Sequence, residues 1–171
     1  LIKNYGTLKI TNTSFTNNND LLPYNIPIES ETIKAIIYNK GILTINSTEI
    51  KNLKDRILYN DGKLLLTNTL IENINPTGTT AIYKTSTKQT LNNKYTYNTY
   101  RIYSKTKTVD GAAIYNNAQI NIINTTFQST TGSNGGAIYN NKEANITDTI
   151  FQTIKGGTIY TTGKKKKKNT T

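Results

Sequence analysis

Hydrophobic positions recur along this chain in one fixed phrase. An aliphatic anchor falls at Ile2, Ile37, Leu58, Ile82, Ile114, Ile138 and Ile159, and Tyr follows it directly in six of the seven cases. Six positions after the anchor come Leu8, Leu43, Leu64, Ile120 and Ala144. Eight after it come Ile10, Ile45, Leu66, Ile122 and Ile146, and thirteen after it Phe15, Ile50, Ile71, Phe127 and Phe151. Self-similarity at 21 to 24 residues, with longer intervals where segments are inserted, marks a stack of repeat units.

The phrase also says what each unit is made of. Hydrophobic positions two apart share one face of an extended strand. Gly6-Thr7-Leu8-Lys9-Ile10 and Gln119-Ile120-Asn121-Ile122 read apolar inside and polar outside. Asn-Lys-Gly at Asn39 and Asn-Asp-Gly at Asn60 punctuate the strands. One such unit cannot bury its own apolar face, so units must stack. The expected fold is all-β, a right-handed single-stranded parallel β-helix of about seven coils over residues 1–163. The long intervals place inserted loops at about residues 17–32, where Pro23 and Pro27 fall, and 84–110. Residues 164–171, opening on the lysine run Lys164–Lys168, read as a disordered, solvated tail.

Polar positions are periodic as well. Asn4, Asn39, Asn60, Asn116 and Asn140 follow their anchors by two, and Asn12, Ser47, Asn68, Asn124 and Asp148 by ten. Stacked at about 4.8 Å, such side chains can hydrogen-bond along the column and satisfy turn backbone. A row of sugar-contacting amides is the functional alternative. Thr125 reads as a strand edge between coils, where a charge should cost less than in the core.

Composition adds limits. The chain has no cysteine and no histidine, which removes disulfides, thiolate ligands and imidazole chemistry. No signal peptide and no apolar run long enough to span a bilayer is present in these residues. Leu1 lies almost inside a coil with no initiating Met, so a piece of a longer chain is expected. No cofactor and no metal are expected.

Gly135-Gly136-Ala137-Ile138-Tyr139-Asn140-Asn141 resembles the GGAI motif of polymorphic outer-membrane proteins, and Phe15-Thr16-Asn17-Asn18 is similar to their FxxN motif. In this Asn/Thr/Lys/Tyr-rich setting the chain most resembles the adhesin-like surface proteins of methanogenic archaea. Phe127 and Phe151 depart from the pattern, since neither has Asn three positions on. The resemblance implies a non-catalytic β-helix, at the cell surface or secreted, used for attachment or as a stalk, with surface glycans or other surface molecules as partners.

Two rivals remain open. A carbohydrate-active β-helix enzyme needs paired carboxylates, or carboxylates holding Ca²⁺ beside a base. The ten acids supply neither pattern: Asp61, Glu143, Asp148, Glu49 and Glu72 all stand at different distances from their anchors. No catalytic residue is assigned. The net charge of +11 raises the third reading, a polyanion binder. Lysines scatter across coils and tail, with an aromatic-basic cluster at residues 94–107, and no module for specific nucleic-acid reading is present.

Tyrosine supplies the candidate ligand site. Tyr38, Tyr59, Tyr83, Tyr115, Tyr139 and Tyr160 each follow an anchor, so strand alternation turns them outward in a column on which sugar rings could stack. The structural alternative is a ring stack that covers strand backbone. A competing site lies in the second insertion at Tyr95, Tyr97, Tyr100 and Arg101. Replacing Tyr115 and Tyr139 by Ser is expected to spare the fold if the column is a free surface.

Overall fold

The structure, a computed structural model, describes residues 2–16, 35–76, 80–91, 95–106 and 109–171, with backbone alone for 80–91 and 95–106. The expected loop at residues 17–32 falls outside the described residues. The first coil is β1 (Ile2–Asn4), β2 (Thr7–Thr11) and β3 (Ser14–Thr16), and the second is β4 (Ala35–Asn39), β5 (Ile42–Asn46) and β6 (Glu49–Leu53). The third is β7 (Arg56–Asn60), β8 (Lys63–Thr67) and β9 (Leu70–Ile74). Two long strands, β10 (Thr80–Leu91) and β11 (Tyr95–Thr106), interrupt the series. It resumes with β12 (Ile114–Asn116), β13 (Gln119–Ile123) and β14 (Thr126–Gln128), then β15 (Ile138–Asn140), β16 (Glu143–Thr147) and β17 (Ile150–Gln152). The last coil holds β18 (Ile159–Thr161) and β19 (Lys164–Lys168).

Corresponding strands stack into three parallel sheets, in the orders β1-β4-β7-β12-β15-β18, β2-β5-β8-β13-β16-β19 and β3-β6-β9-β14-β17. This is a parallel β-helix. Its register is the one the repeat dictates: Leu58 lies beside Ile114, Leu66 beside Ile122 and Ile71 beside Phe127. The anchor, sixth and eighth positions from Ile37 to Ile146 are buried into one continuous core. Phe127 stacks on Phe151 at 5.0 Å between ring centroids. Each fully buried aliphatic contributes about 1.5–3 kcal/mol, so the core is narrow but uninterrupted.

Among the described residues six coils stack, not seven. Ile82 and Tyr83 repeat the opening phrase, yet positions six and eight after Ile82 are Lys88 and Thr90, which cannot line the core. The chain there forms the antiparallel pair β10-β11 instead, and β7 pairs directly with β12. The insertion therefore begins earlier than residue 84.

The lysine run also departs from expectation. β19 pairs with β16 in register, setting Lys165 beside Ala144 and Lys167 beside Ile146. The phase carries through because Asn169 and Thr170 supply the next corner. Lysine stems are apolar enough to lie over a coil while their ammonium groups reach water. Lys167 Nζ lies 5.5 Å from the Phe151 ring centroid, and partial burial, followed by the nearby Lys165, lowers its pKa.

The corners explain the polar columns. Asn12, Ser47, Asn68, Asn124, Asp148 and Asn169 all adopt left-handed backbone, with φ between 46° and 52°. Short polar residues tolerate that region best. The next residue is Thr in all six coils (Thr13, Thr48, Thr69, Thr125, Thr149 and Thr170), and its hydroxyl donates to the carbonyl two residues back at 2.8–3.0 Å. Thr125 is thus a corner residue, 1 % exposed, and not a strand edge. At the next coil's entry Gly135 has φ +64°, and a Cβ there would run into the Ile138 carbonyl oxygen, which accounts for the first glycine of GGAI.

Among the described residues two buried hydroxyls, those of Thr11 and Thr130, have no hydrogen-bond partner. Thr130 stands in the column of Leu53, Ile74 and Ile154, fully buried, and its hydroxyl has no hydrogen-bond partner. Thr130→Val is expected to stabilise the chain by about 1 kcal/mol by removing that desolvation cost. A higher urea midpoint at unchanged slope would show it.

Candidate functional site

The tyrosines of the first sheet form a closed column. Ring centroids lie 5.7 Å apart for Tyr38–Tyr59, 5.0 Å for Tyr59–Tyr115, 4.8 Å for Tyr115–Tyr139 and 5.0 Å for Tyr139–Tyr160. The last three pairs are stacked within 20° of parallel. Tyr5 covers the far end, edge-on to Tyr38 at 6.5 Å. Tyr83 is not in this column. It lies in β10, opposite Tyr103 of β11.

Stacking along the helix axis changes what the column can do. Each ring face meets the ring of the neighbouring coil, so interior tyrosines offer edges, not faces, to an external sugar. Hydroxyls are engaged too, by the residue two positions past the next coil's Tyr. Tyr38 donates to Asp61 Oδ2 at 3.0 Å, while Asn117 Nδ2 donates to the Tyr59 hydroxyl at 2.6 Å and Asn141 Nδ2 to that of Tyr115 at 3.2 Å. Replacing Tyr115 and Tyr139 by Ser would remove three ring contacts, each worth about 0.5–1.5 kcal/mol beyond area burial, so the fold would not be spared.

Burial raises the pKa of the Tyr38, Tyr59 and Tyr139 hydroxyls above the ordinary 10.0, with the Asp61 carboxylate adding to it at Tyr38 and Tyr59. The folded state therefore holds these protons where the unfolded chain has released them. The stability they contribute is complete below pH 10.0 and is lost as pH rises through the raised values. Melting temperature is expected to fall across that alkaline window, alongside the ultraviolet signal of tyrosinate.

Beneath the tyrosines runs an amide column. Asn4, Asn39, Asn60 and Asn116 each donate from Nδ2 to Oδ1 of the next Asn at 2.6–2.7 Å, and Asn140 closes the series on Thr161 Oγ1 at 3.1 Å. The same amides bond carbonyls of the following turn, as Asn60 does with Gly62 at 2.9 Å. These side chains are buried and self-satisfied, so they are structural and not a sugar-facing row. A partial outer row links Asn124 to Asn68 and Asn68 to Asn46 at 2.8 and 2.9 Å.

Four of the acids are engaged in the same way. Asp61 also accepts from Asn117 Nδ2 at 3.2 Å. Asp110 accepts from Ser133 Oγ and from the backbone and side-chain nitrogens of Asn134 at 3.2 and 3.1 Å, holding the turn of the next coil. Lys51 bridges Glu49 and Glu72 at 3.3 and 3.8 Å. No cluster of three or more potential metal ligands occurs among the described residues.

Arg56 carried no periodic signal in the sequence. It occupies the place of Ala35 in the preceding coil. Its Nε donates to the Gly111 carbonyl at 3.1 Å and its Nη2 to that of Asp110 at 2.7 Å, with the guanidinium 5.0 Å from the Tyr115 ring centroid. Desolvation lowers its pKa, but a guanidinium stays charged. Arg56 fastens the point where the chain returns from the β10-β11 insertion. Tyr95, Tyr97, Tyr100 and Arg101 all lie in β11 of that insertion, facing Leu91, Gln89, Ser86 and Thr85 in register.

The fold and its side-chain columns define a β-helical solenoid whose repeating surface is occupied by its own contacts. Comparison with protein-family models, curated proteins and solved structures gave no match. Among the described residues no helix is long and apolar enough to cross a membrane.

Proposed function

We propose that this chain is a non-catalytic segment of an adhesin-like protein, cell-surface or secreted, in which a β-helical rod serves as attachment module or stalk. The observation that carries this reading is the closure of the side-chain network. The Asn and Tyr columns, and the carboxylates of Asp61 and Asp110, are spent on holding coil to coil, and the Thr column on holding each corner. Such a rod suits spacing and display, and the hairpin inserted into it is the element that departs from the repeat. The GGAI-like run at residues 135–141 supports the same reading by resemblance.

The test is retention without turnover. Incubated with cell-envelope material and a panel of neutral and acidic polysaccharides, with and without Ca²⁺, the chain is expected to be retained and to release no oligosaccharide. Release that disappears in Asp61→Asn or Asp110→Asn would establish the carbohydrate-active enzyme instead.

A further inference from the structure

The net charge is not spread over the molecule. Residues 80–107 carry six cations and no acid, and Lys164–Lys168 carry five more, while the ten cations elsewhere balance the ten acids. These two stretches together therefore carry +11, as much as the net charge of the whole chain. Residues 17–34 carry three acids and one lysine, so the other coil residues are left with a net charge of only +2.

The hairpin adds aromatic residues to this charge. Its register pairs Tyr83 with Tyr103, Thr85 with Arg101, Gln89 with Tyr97 and Leu91 with Tyr95. Strand alternation puts these positions on one face of the ribbon, with Ala81 and Lys105 continuing it. Lys84 and Lys88 fall on the other face. Twelve residues per strand make a ribbon of about 40 Å. A two-stranded ribbon is marginal in water, and unbalanced cations repel one another within it. An extended anion laid along it would relieve that repulsion. Eleven of the fifteen positions of β10 and β11 that are neither Tyr nor cationic are Ser, Thr, Asn or Gln, residue types whose hydroxyls and amides match the hydroxyls of sugar units.

We propose that the β10-β11 hairpin is the ligand-binding element of this protein and that its ligand is an acidic polysaccharide. Arg101 and Lys105 share a face with the tyrosine positions 83, 95, 97 and 103, and Lys84 and Lys88 add charge from the other face, the combination an acidic sugar chain calls for. The inference deepens the attachment reading and rests on it for its biological setting. The stack of coils serves as the mount, with Arg56 fixing the hairpin's return.

The experiment measures binding of the whole chain to alginate and to heparin, with a neutral glucan and oligo-dT as competitors. Lys84→Gln, Lys88→Gln, Arg101→Gln and Lys105→Gln combined should weaken binding by more than about tenfold and flatten its salt dependence. Gln at all five positions of Lys164–Lys168 should change it by less than about threefold. Tyr97→Ser with Tyr103→Ser should weaken binding while leaving the salt dependence as it was. Unchanged thermal melts in the hairpin variants would show that the mount is intact. Amide exchange in residues 80–106 should slow on adding alginate. Loss of binding in the β19 variant alone, or displacement of alginate by oligo-dT at lower concentration than by alginate itself, would overturn the proposal. Retention on cell envelopes without binding to either polyanion would remove the hairpin proposal and leave the attachment reading. Polyanion binding without envelope retention would do the reverse.

Discussion

Ile122→Asp is expected to unfold the solenoid or lower its stability by more than about 4 kcal/mol. Ile122 is fully buried between Leu66 and Ile146, so the carboxylate would meet only stacked aliphatics. Ile138→Asp should behave alike, because Ile138 lies equally deep between Ile114 and Ile159. A sharper comparison uses neighbours. Thr125→Asp should approach the same severity, since Thr125 is buried and its hydroxyl holds the Ile123 carbonyl at 3.0 Å. Thr126→Asp should stay within about 0.5 kcal/mol. Position 126 belongs to the outward column in which Glu49 already stands, exposed. Chemical denaturation of the four variants reads the phase of the repeat at single-residue resolution.

Asn116→Ala is the second large expected effect. Asn116 is fully buried at the middle of the amide column, accepting from Asn60 and donating to Asn140 and to the Ala118 carbonyl. Alanine leaves these partners short, and each buried polar group without a partner costs about 1–3 kcal/mol. The loss should therefore reach several kcal/mol. Asn145→Ala removes an amide of the same kind, bonded to Asn121 at 3.0 Å on the partly exposed outer face. Water replaces that bond, so its cost should stay below about 1 kcal/mol. Similar losses in the two variants would mean that the inner column is wetter than its burial indicates.

The stack was legible because core positions and corner positions both obey the repeat. Ile45, Leu66 and Ile122 could be aligned from sequence, and Asn39, Asn60 and Asn116 with them. Ile82 misled because the opening phrase is local, whereas membership of the stack needs apolar residues six and eight positions later. The six-fold Thr column, eleven positions after each anchor, was equally regular. It escaped notice because Thr is abundant here and is not an obvious corner residue. β19 was obscured for the opposite reason: five lysines hid a phase that Asn169 and Thr170 still carried. The orientation of the tyrosine rings could not be read from spacing at all. Alternation gives an outward column, but stacking face to face arises only when coils come within about 5 Å. Arg56 had no counterpart in other coils, so nothing in the repeat pointed to its role.

The chain has no cysteine, and this permits a direct test of the stack. Lys63 and Gln119 are register partners on neighbouring strands of the second sheet, while a seven-coil arrangement would set Lys63 beside Thr87. Adjacent strands bring Cα atoms to about 4.8 Å, within reach of a disulfide. Under mild oxidation the Lys63→Cys/Gln119→Cys variant should close a disulfide rapidly and completely, detected by mass after proteolysis. The Lys63→Cys/Thr87→Cys variant should remain reduced. Closure of the second pair in place of the first would contradict the six-coil stack and the exclusion of the hairpin from it.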